Sequence, residues 1–369
     1  MRKRKMKNLG TAGYKLLTPG PLTTTETVKE VMLFDHCTWD DDYKEITQKI
    51  RRDLLKLAQV EETEYTTVLM QGSGSFGVES VLGSVVPKDG CVLLLSNGAY
   101  GERAAKMCSY YEIPCIHVKQ DYNKTPDANE AEELLKTHPE ITHIMMIHSE
   151  TTSGILNDIE SIGKLAEAYG KVFIVDAMSS FAGVEIPVKD WYIDFLISSA
   201  NKCIQGVPGF SFIIANRVLL MESKGRARSL CLDLYDQWAG MEKDGKWRYT
   251  SPTHVVLAFE QAMKELEQEG GIKARHARYQ KNMDTLVENF ENLGFRLYVD
   301  KAWQGPIIAT FLYPEGKHFD FQEMYAYIKE RGYAIYPGKL TDADTFRIGV
   351  IGEIYEEDVL RLTEIMKSY

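Results

Sequence analysis

The chain has 369 residues, 44% of them hydrophobic, enough to bury a large core divided among roughly one to three domains. Its 53 acidic against 43 basic side chains give a formal charge of −10. That balance argues against nucleic acid as a partner and leaves any anionic substrate to be drawn in by local donors. No run approaches the ~20 apolar residues of a membrane helix, so no membrane association is expected.

The basic start, Met1-Arg2-Lys3-Arg4-Lys5-Met6-Lys7, is followed by no apolar segment and reads as a solvated tail rather than a secretory signal. From about residue 66 to 215, strand-length apolar runs alternate with segments of helical period. The runs include Val92 to Leu95, Ile144 to Ile147, Val172 to Val175, Phe195 to Ile197 and Phe210 to Ile214. Continuous apolarity in so short a run is expected where helices cover both faces of a sheet, so this region predicts an α/β domain with a mainly parallel sheet. Between two of the runs, Ile159, Ile162, Leu165, Ala166 and Tyr169 share one helical face, and Gly170 closes the helix.

Ser251-Pro252-Thr253 signals a helix start, with two long helices ending near Gly270-Gly271 and Gly294. Strands then follow over Phe295 to Val299 and Ile307 to Leu312, a helix over Phe321 to Arg331 closed by Gly332, strands over 333–337 and 345–350, and a last helix over Glu356 to Lys367. This C-terminal part reads as a smaller α+β domain. The division expected is an N-terminal arm over 1–22, a large domain over 23–258 and a small domain over 259–369.

The six cysteines are scattered without C-x-x-C spacing, and the eight histidines form no metal-ligand motif. They read as reduced thiols of a cytoplasmic protein with no metal site.

Four polar sites stand at or near the ends of apolar strands. In open α/β sheets the crevice beyond the carboxyl ends of strands is where ligands bind. Gln71-Gly72-Ser73-Gly74-Ser75, before a helix, suits an anion, because glycines admit close backbone approach and the helix start presents free N–H groups. Taken alone it fits equally a flexible loop with a cap. Asp176 ends a buried apolar run, where a carboxylate needs a cation or strong donors; an ordinary turn aspartate is the alternative. Lys202 follows another strand, and a lysine there becomes a Schiff-base nucleophile only if it is kept unprotonated; otherwise it is a surface lysine in a turn. Arg347, between Phe346 and Ile348, offers a planar fork for a carboxylate or phosphonate, or is simply a solvated strand residue.

The same residues sit in blocks that resemble the class V, fold type I aminotransferases. The blocks are Leu17-Thr18-Pro19-Gly20-Pro21-Leu22, Cys37 to Tyr43, Gln71 to Ser75, Ser96 to Gly101, His148 to Gly154 and Val175 to Ser180, then Ile197 to Gly209, Lys246 to His254, Tyr336 to Lys339 and Phe346 to Gly349. They span residues 16 to about 355. The long blocks Ile197 to Gly209 and Lys246 to His254 are the most specific. They match the branch that moves the amino group of 2-aminoethylphosphonate to pyruvate; alanine–glyoxylate and serine–pyruvate transamination are the alternatives within the family. The resemblance implies a large domain on a mainly parallel seven-stranded sheet with a smaller C-terminal α+β domain, and pyridoxal 5′-phosphate as cofactor.

It further implies Ser73, Gly74 and Ser75 on the cofactor phosphate, Tyr100 over the ring and Thr151 near its phenolic oxygen. Asp176 would meet the ring nitrogen, Lys202 would be the covalent attachment, and Arg347 would bind the acid group of each substrate. Thr250 would reach the phosphate in the other subunit, which implies a homodimer with shared sites. A cysteine desulfurase would need a mobile catalytic cysteine, and none of the six has an obvious loop setting for one. A cofactor-binding transcription regulator would need a basic DNA-binding domain, for which neither length nor charge leaves room.

Overall fold

A computed structural model describes residues 13–314, 319–340 and 343–369. The basic start, Met1 to Lys7, therefore lies outside the described residues.

Seven strands make the central sheet: β1 (Tyr65–Gln71), β2 (Cys91–Ser96), β3 (Cys115–Lys119), β4 (Ile141–Ile147), β5 (Val172–Asp176), β6 (Phe195–Ser199) and β7 (Phe210–Asn216). Their order across the sheet is β1-β7-β6-β5-β4-β2-β3. Every pairing from β6 through to β3 is parallel, whereas β7 runs antiparallel to both β1 and β6. The expected mainly parallel seven-stranded sheet is what forms.

The apolar runs are explained by what covers each face. Side chains alternate along a strand. Leu69, Leu93, Leu95, Ile144, Met146, Phe173, Val175 and Leu196 enter one buried cluster, and their immediate neighbours Val68, Val92, Leu94, Met145, Ile174, Phe195 and Ile197 enter another. A strand buried on both sides has no polar face to show.

A second, antiparallel sheet has the order β8-β9-β11-β10, comprising β8 (Arg296–Leu297), β9 (Ile308–Leu312), β10 (Tyr336–Pro337) and β11 (Thr345–Gly349). It packs with the helices Gly271–Asn292, Phe321–Glu330 and Glu356–Lys367 around its own core. In that core Phe311 stacks on Phe290 at 5.0 Å and on Phe346 at 5.7 Å between ring centroids.

Two strand expectations need correction. The segment expected over Phe295 to Val299 pairs only at Arg296–Leu297. The run 333–337 is two strands, not one: Tyr333–Ala334 pairs in parallel with Lys15–Leu16, and Tyr336 then turns to pair with Arg347. Buried Ile335 sits at the break, so hydrophobicity is continuous across a change of sheet. The N-terminal segment thus enters the second sheet's side of the molecule, with Leu17 in its core. No helix among the described residues is long and apolar enough to cross a membrane.

Truncation of Phe311, which is fully buried, tests the second core. Phe311→Ala should lower unfolding stability in urea by about 3–5 kcal/mol. Leu360→Ala, on an exposed helix face, should change it by no more than about 0.5 kcal/mol. Equal effects would contradict this packing.

Candidate active site

The carboxyl ends of β2 to β6 lie along one edge of the sheet, and β1, with the same direction as β6, also ends there. At that edge β1 leads into Gly72-Ser73, β2 into Asn97 to Tyr100, and β4 into His148 to Thr151. β5 ends on Asp176 itself, and β6 opens the loop with Lys202 that returns as β7. Strand direction alone brings residues spread over 130 positions to one cleft. Ser73, Gly74, Ser75, Tyr100, Asp176 and Lys202 all line it.

Asp176 is buried, and its Oδ1 accepts a hydrogen bond from the Met178 N–H at 2.9 Å. Burial pushes its pKa up from 3.8 to about 6; nearby Glu150 adds to the rise, while the Met178 N–H, Lys202 and Arg103 oppose it. The Lys202 Nζ donates to the Pro19 carbonyl at 2.9 Å. Burial holds this amine below the ordinary lysine range, against the pull of Tyr100 and Asp176. The two groups thus share a cleft that disfavours the charge of each.

Ser73 caps the helix Gly74–Val85, yet its hydroxyl makes no cap hydrogen bond. Gly74 lies close against Met178: a Cβ there would be 2.2 Å from its sulfur and would push that side chain aside. Ser75 Oγ accepts from Arg103 Nη1 at 3.0 Å, and that guanidinium sits 5.1 Å from the centre of the Tyr100 ring. Gly20, at φ +114°, lets the N-terminal segment press against Lys202; a Cβ would be 2.8 Å from its Cδ.

Thr151 hydrogen-bonds the Tyr100 phenol. Burial raises that phenol's pKa, but this bond and the charges of Lys339 and Lys202 outweigh burial, and the net shift is downward. Arg347 is only 3% exposed, and its Nη1 donates to the Thr151 carbonyl at 2.9 Å and its Nε to the Pro337 carbonyl at 3.0 Å. Burial lowers its pKa. Alternation turned Arg347 away from Phe346 and Ile348 as expected, but the face it occupies is covered rather than solvated. Thr250 stands apart. It is exposed and lines a different cleft with Thr38, Tyr43 and Ser251.

Other groups at the cleft have no motif to announce them. Arg103 and Lys339 look like surface cations in the sequence, and the Pro19 carbonyl has no side-chain signal at all. Glu150, buried with Oε2 unpartnered, has its pKa raised by burial. Further back, the buried Arg275 donates from Nη1 to the carbonyls of Cys203 and Ile204, at 2.8 and 3.2 Å, and pairs with Glu269. Gln205, at φ 71°, donates to the Tyr279 phenol at 2.6 Å. These bonds fix the chain just beyond Lys202.

The donor set fits a phosphorylated pyridine aldehyde. An unused cap hydroxyl and a helix N-terminus suit the phosphate, a buried carboxylate suits a ring cation, and an amine whose pKa is held down suits the aldehyde.

The chain belongs to the class-V aminotransferase family, which matches residues 36–361. It is 55% identical over 358 residues to the 2-aminoethylphosphonate–pyruvate transaminase of Lysinibacillus sphaericus, covering 97% of this chain and 98% of that relative. It is 56% identical over 352 residues to the enzyme of the same name in Bacillus cereus, covering 95% and 96%. Among solved structures, alanine–glyoxylate aminotransferase from Nostoc sp. shares the fold, with a TM-score of 0.90 over 99% of this chain and 97% of that one at 23% identity.

The Asp176 carboxylate gives a pH test. Its folded-state pKa lies above its unfolded value, so the folded protein holds more protons between about pH 4 and 6, and stability falls as pH rises through that window. Cofactor-free Asp176→Asn should therefore be more stable than cofactor-free wild type above pH 7, by roughly 3 kcal/mol for about two pKa units. The gap should close toward pH 4 and reverse sign when cofactor is bound. A gap in urea denaturation that ignores pH would contradict this account.

Proposed function

We propose that this chain transfers the amino group of 2-aminoethylphosphonate to pyruvate, giving phosphonoacetaldehyde and L-alanine, with pyridoxal phosphate as cofactor. The observation that carries the substrate assignment is the 55% identity to a transaminase of that name along nearly the whole of both chains. The cofactor assignment rests on the meeting of Asp176 and Lys202 in one cleft beside the Ser73-Gly74-Ser75 helix start.

When bound, the cofactor supplies an aldehyde that condenses with amines and a ring that accepts the electron pair freed at the carbon bearing nitrogen. Ser73, Ser75 and the N–H groups of the helix start hold its phosphate. Asp176 holds the proton on the ring nitrogen, an arrangement that suits a carboxylate otherwise left buried without a cation. Lys202, whose pKa is held down by its surroundings, would hold the cofactor aldehyde and, once free, would be the base for the proton on the substrate carbon. Tyr100 would cover the ring, and Thr151 would stand near its phenolic oxygen. Arg347 binds the phosphonate in one half-reaction and the carboxylate in the other, which its fork geometry allows.

The reading includes a homodimer. Leu33, Phe34 and Trp39 are 71%, 65% and 67% exposed, and Lys246 lies over the Trp39 ring at 4.6 Å. Thr250 therefore borders an apolar surface that a second copy would cover while Thr250 reaches that copy's cofactor phosphate. Sedimentation as a 42.0 kDa monomer at working concentration would contradict this part. All six thiols are free, as suits a reducing cytoplasm; recovery of the native protein from outside the cytoplasm would count against that placement.

Turnover of 2-aminoethylphosphonate with pyruvate should exceed that of serine with pyruvate or alanine with glyoxylate, read as kcat/KM in a coupled assay. A preference for either of those pairs would replace this assignment with one of its family neighbours.

A further inference from the structure

We propose that Lys339 is a specificity-determining residue for the donor's acid group, supplying beside Arg347 the second positive charge that a phosphonate uses and a carboxylate does not. The inference rests on the substrate reading above and names the residue that sorts phosphonate from carboxylate within it.

Lys339 and Arg347 leave the same hairpin of the second sheet. Tyr336 pairs with Arg347, and Lys339 stands three residues farther along. Both cations then converge on one spot of the large sheet's edge. Arg347 donates to the Thr151 carbonyl at 2.9 Å, and the Lys339 Nζ donates to the Tyr100 phenol at 3.2 Å, with its charge 4.5 Å from the centre of that ring. Thr151 and Tyr100 are themselves hydrogen-bonded to each other. The two positive groups are therefore anchored on neighbouring residues, Arg347 on the Thr151 backbone and Lys339 on the Tyr100 side chain, and Tyr100 lines the cleft together with Lys202.

Charge supply explains why two are needed. A phosphonate, like a phosphate, presents three acceptor oxygens and close to two negative charges near neutral pH, whereas a carboxylate presents two oxygens and one charge. Arg347 commits two of its five N–H donors to backbone carbonyls and keeps three for the acid group, but as a single cation it can neutralise only one of the two charges. An ammonium has three donors; with one on Tyr100, Lys339 has two to offer. Among the described residues no carboxylate forms an ion pair with Lys339, although the buried Glu150 feels its charge; its hydrogen-bond partner is the Tyr100 phenol oxygen. The chain's net charge of −10 repels a dianion from a distance, which makes a local, exposed cation at the mouth of the site the more valuable.

Lys339 is exposed and contributes nothing to either core, so Lys339→Met removes the charge without touching the fold. The variant should raise KM for 2-aminoethylphosphonate by about ten- to hundredfold, the range for one charge-assisted hydrogen bond, while KM for pyruvate moves by less than about threefold. Lys339→Arg should recover most of the loss. Calorimetric titration of the cofactor-loaded protein with methylphosphonate and with acetate reads the same difference without turnover: the variant should lose affinity for methylphosphonate alone. Equal losses for both acids, or no loss for either, would overturn the proposal. Wild type that fails to turn over 2-aminoethylphosphonate would instead remove the substrate reading, and the methylphosphonate–acetate comparison would still decide the role of Lys339.

Discussion

The half-buried Lys202 amine and the buried Asp176 carboxylate line one cleft, and that setting makes the demands that the surrounding structure meets. Each group is moved away from its charged form by the same cause, the acid upward and the amine downward. Within the protein each has a neutral partner, the Met178 N–H for one and the Pro19 carbonyl for the other. Two such groups in one core would be a liability in a protein built only for stability, and perturbed pairs of this kind cluster at functional sites. The cost is understandable if a ligand completes both: a cation for the acid and a carbonyl for the amine.

The fold meets these demands by rigidity behind the cleft rather than within it. Lys202 lies on the turn between β6, which is buried throughout, and β7, which is buried up to Ala215. The carbonyls that follow it are held by Arg275, whose charge is in turn balanced by Glu269 at 2.6 Å. Ahead of it, the segment around Gly20 closes the site, anchored because Leu17 belongs to the second core. One lysine is thus gripped by the large sheet, by a long helix and by the N-terminal strand at once. The second sheet contributes Arg347, which crosses to the large sheet's edge through the Thr151 carbonyl and is the residue proposed to bind the acid group. Both sides of the reaction depend on how these two cores are joined.

Much of this could be read from the chain, for physical reasons that also mark where reading stops. Strands apolar on both faces announce a covered sheet, and Asp176 is conspicuous because a carboxylate ends such a run. The final helix, Glu356–Lys367, matches its expected bounds because acidic residues open it and its apolar period is clear. The run 333–337 misled because apolarity does not record which sheet a residue joins. Lys202 and Arg347 are ordinary residue types whose shielding comes from distant segments, Gly20 and Thr151; their places beside apolar strands made them candidates with a bland reading beside each, and the family resemblance chose between the two. Arg103 and Lys339 were invisible for the same reason: a cation becomes part of a site only when the fold sets an aromatic ring or a hydroxyl beside it. Thr250 is the converse case, named by resemblance but placed outside the cleft of its own chain, where only a second copy could give it the proposed role.

The account stands or falls on the covalent role of one lysine among the many in the chain. Reduction of the cofactor-loaded protein with borohydride, followed by digestion and mass spectrometry, reads that role residue by residue. A cofactor-derived mass increment on Lys202 is the expected result. The same increment on a different lysine, or none on a protein that is nonetheless active, would contradict it.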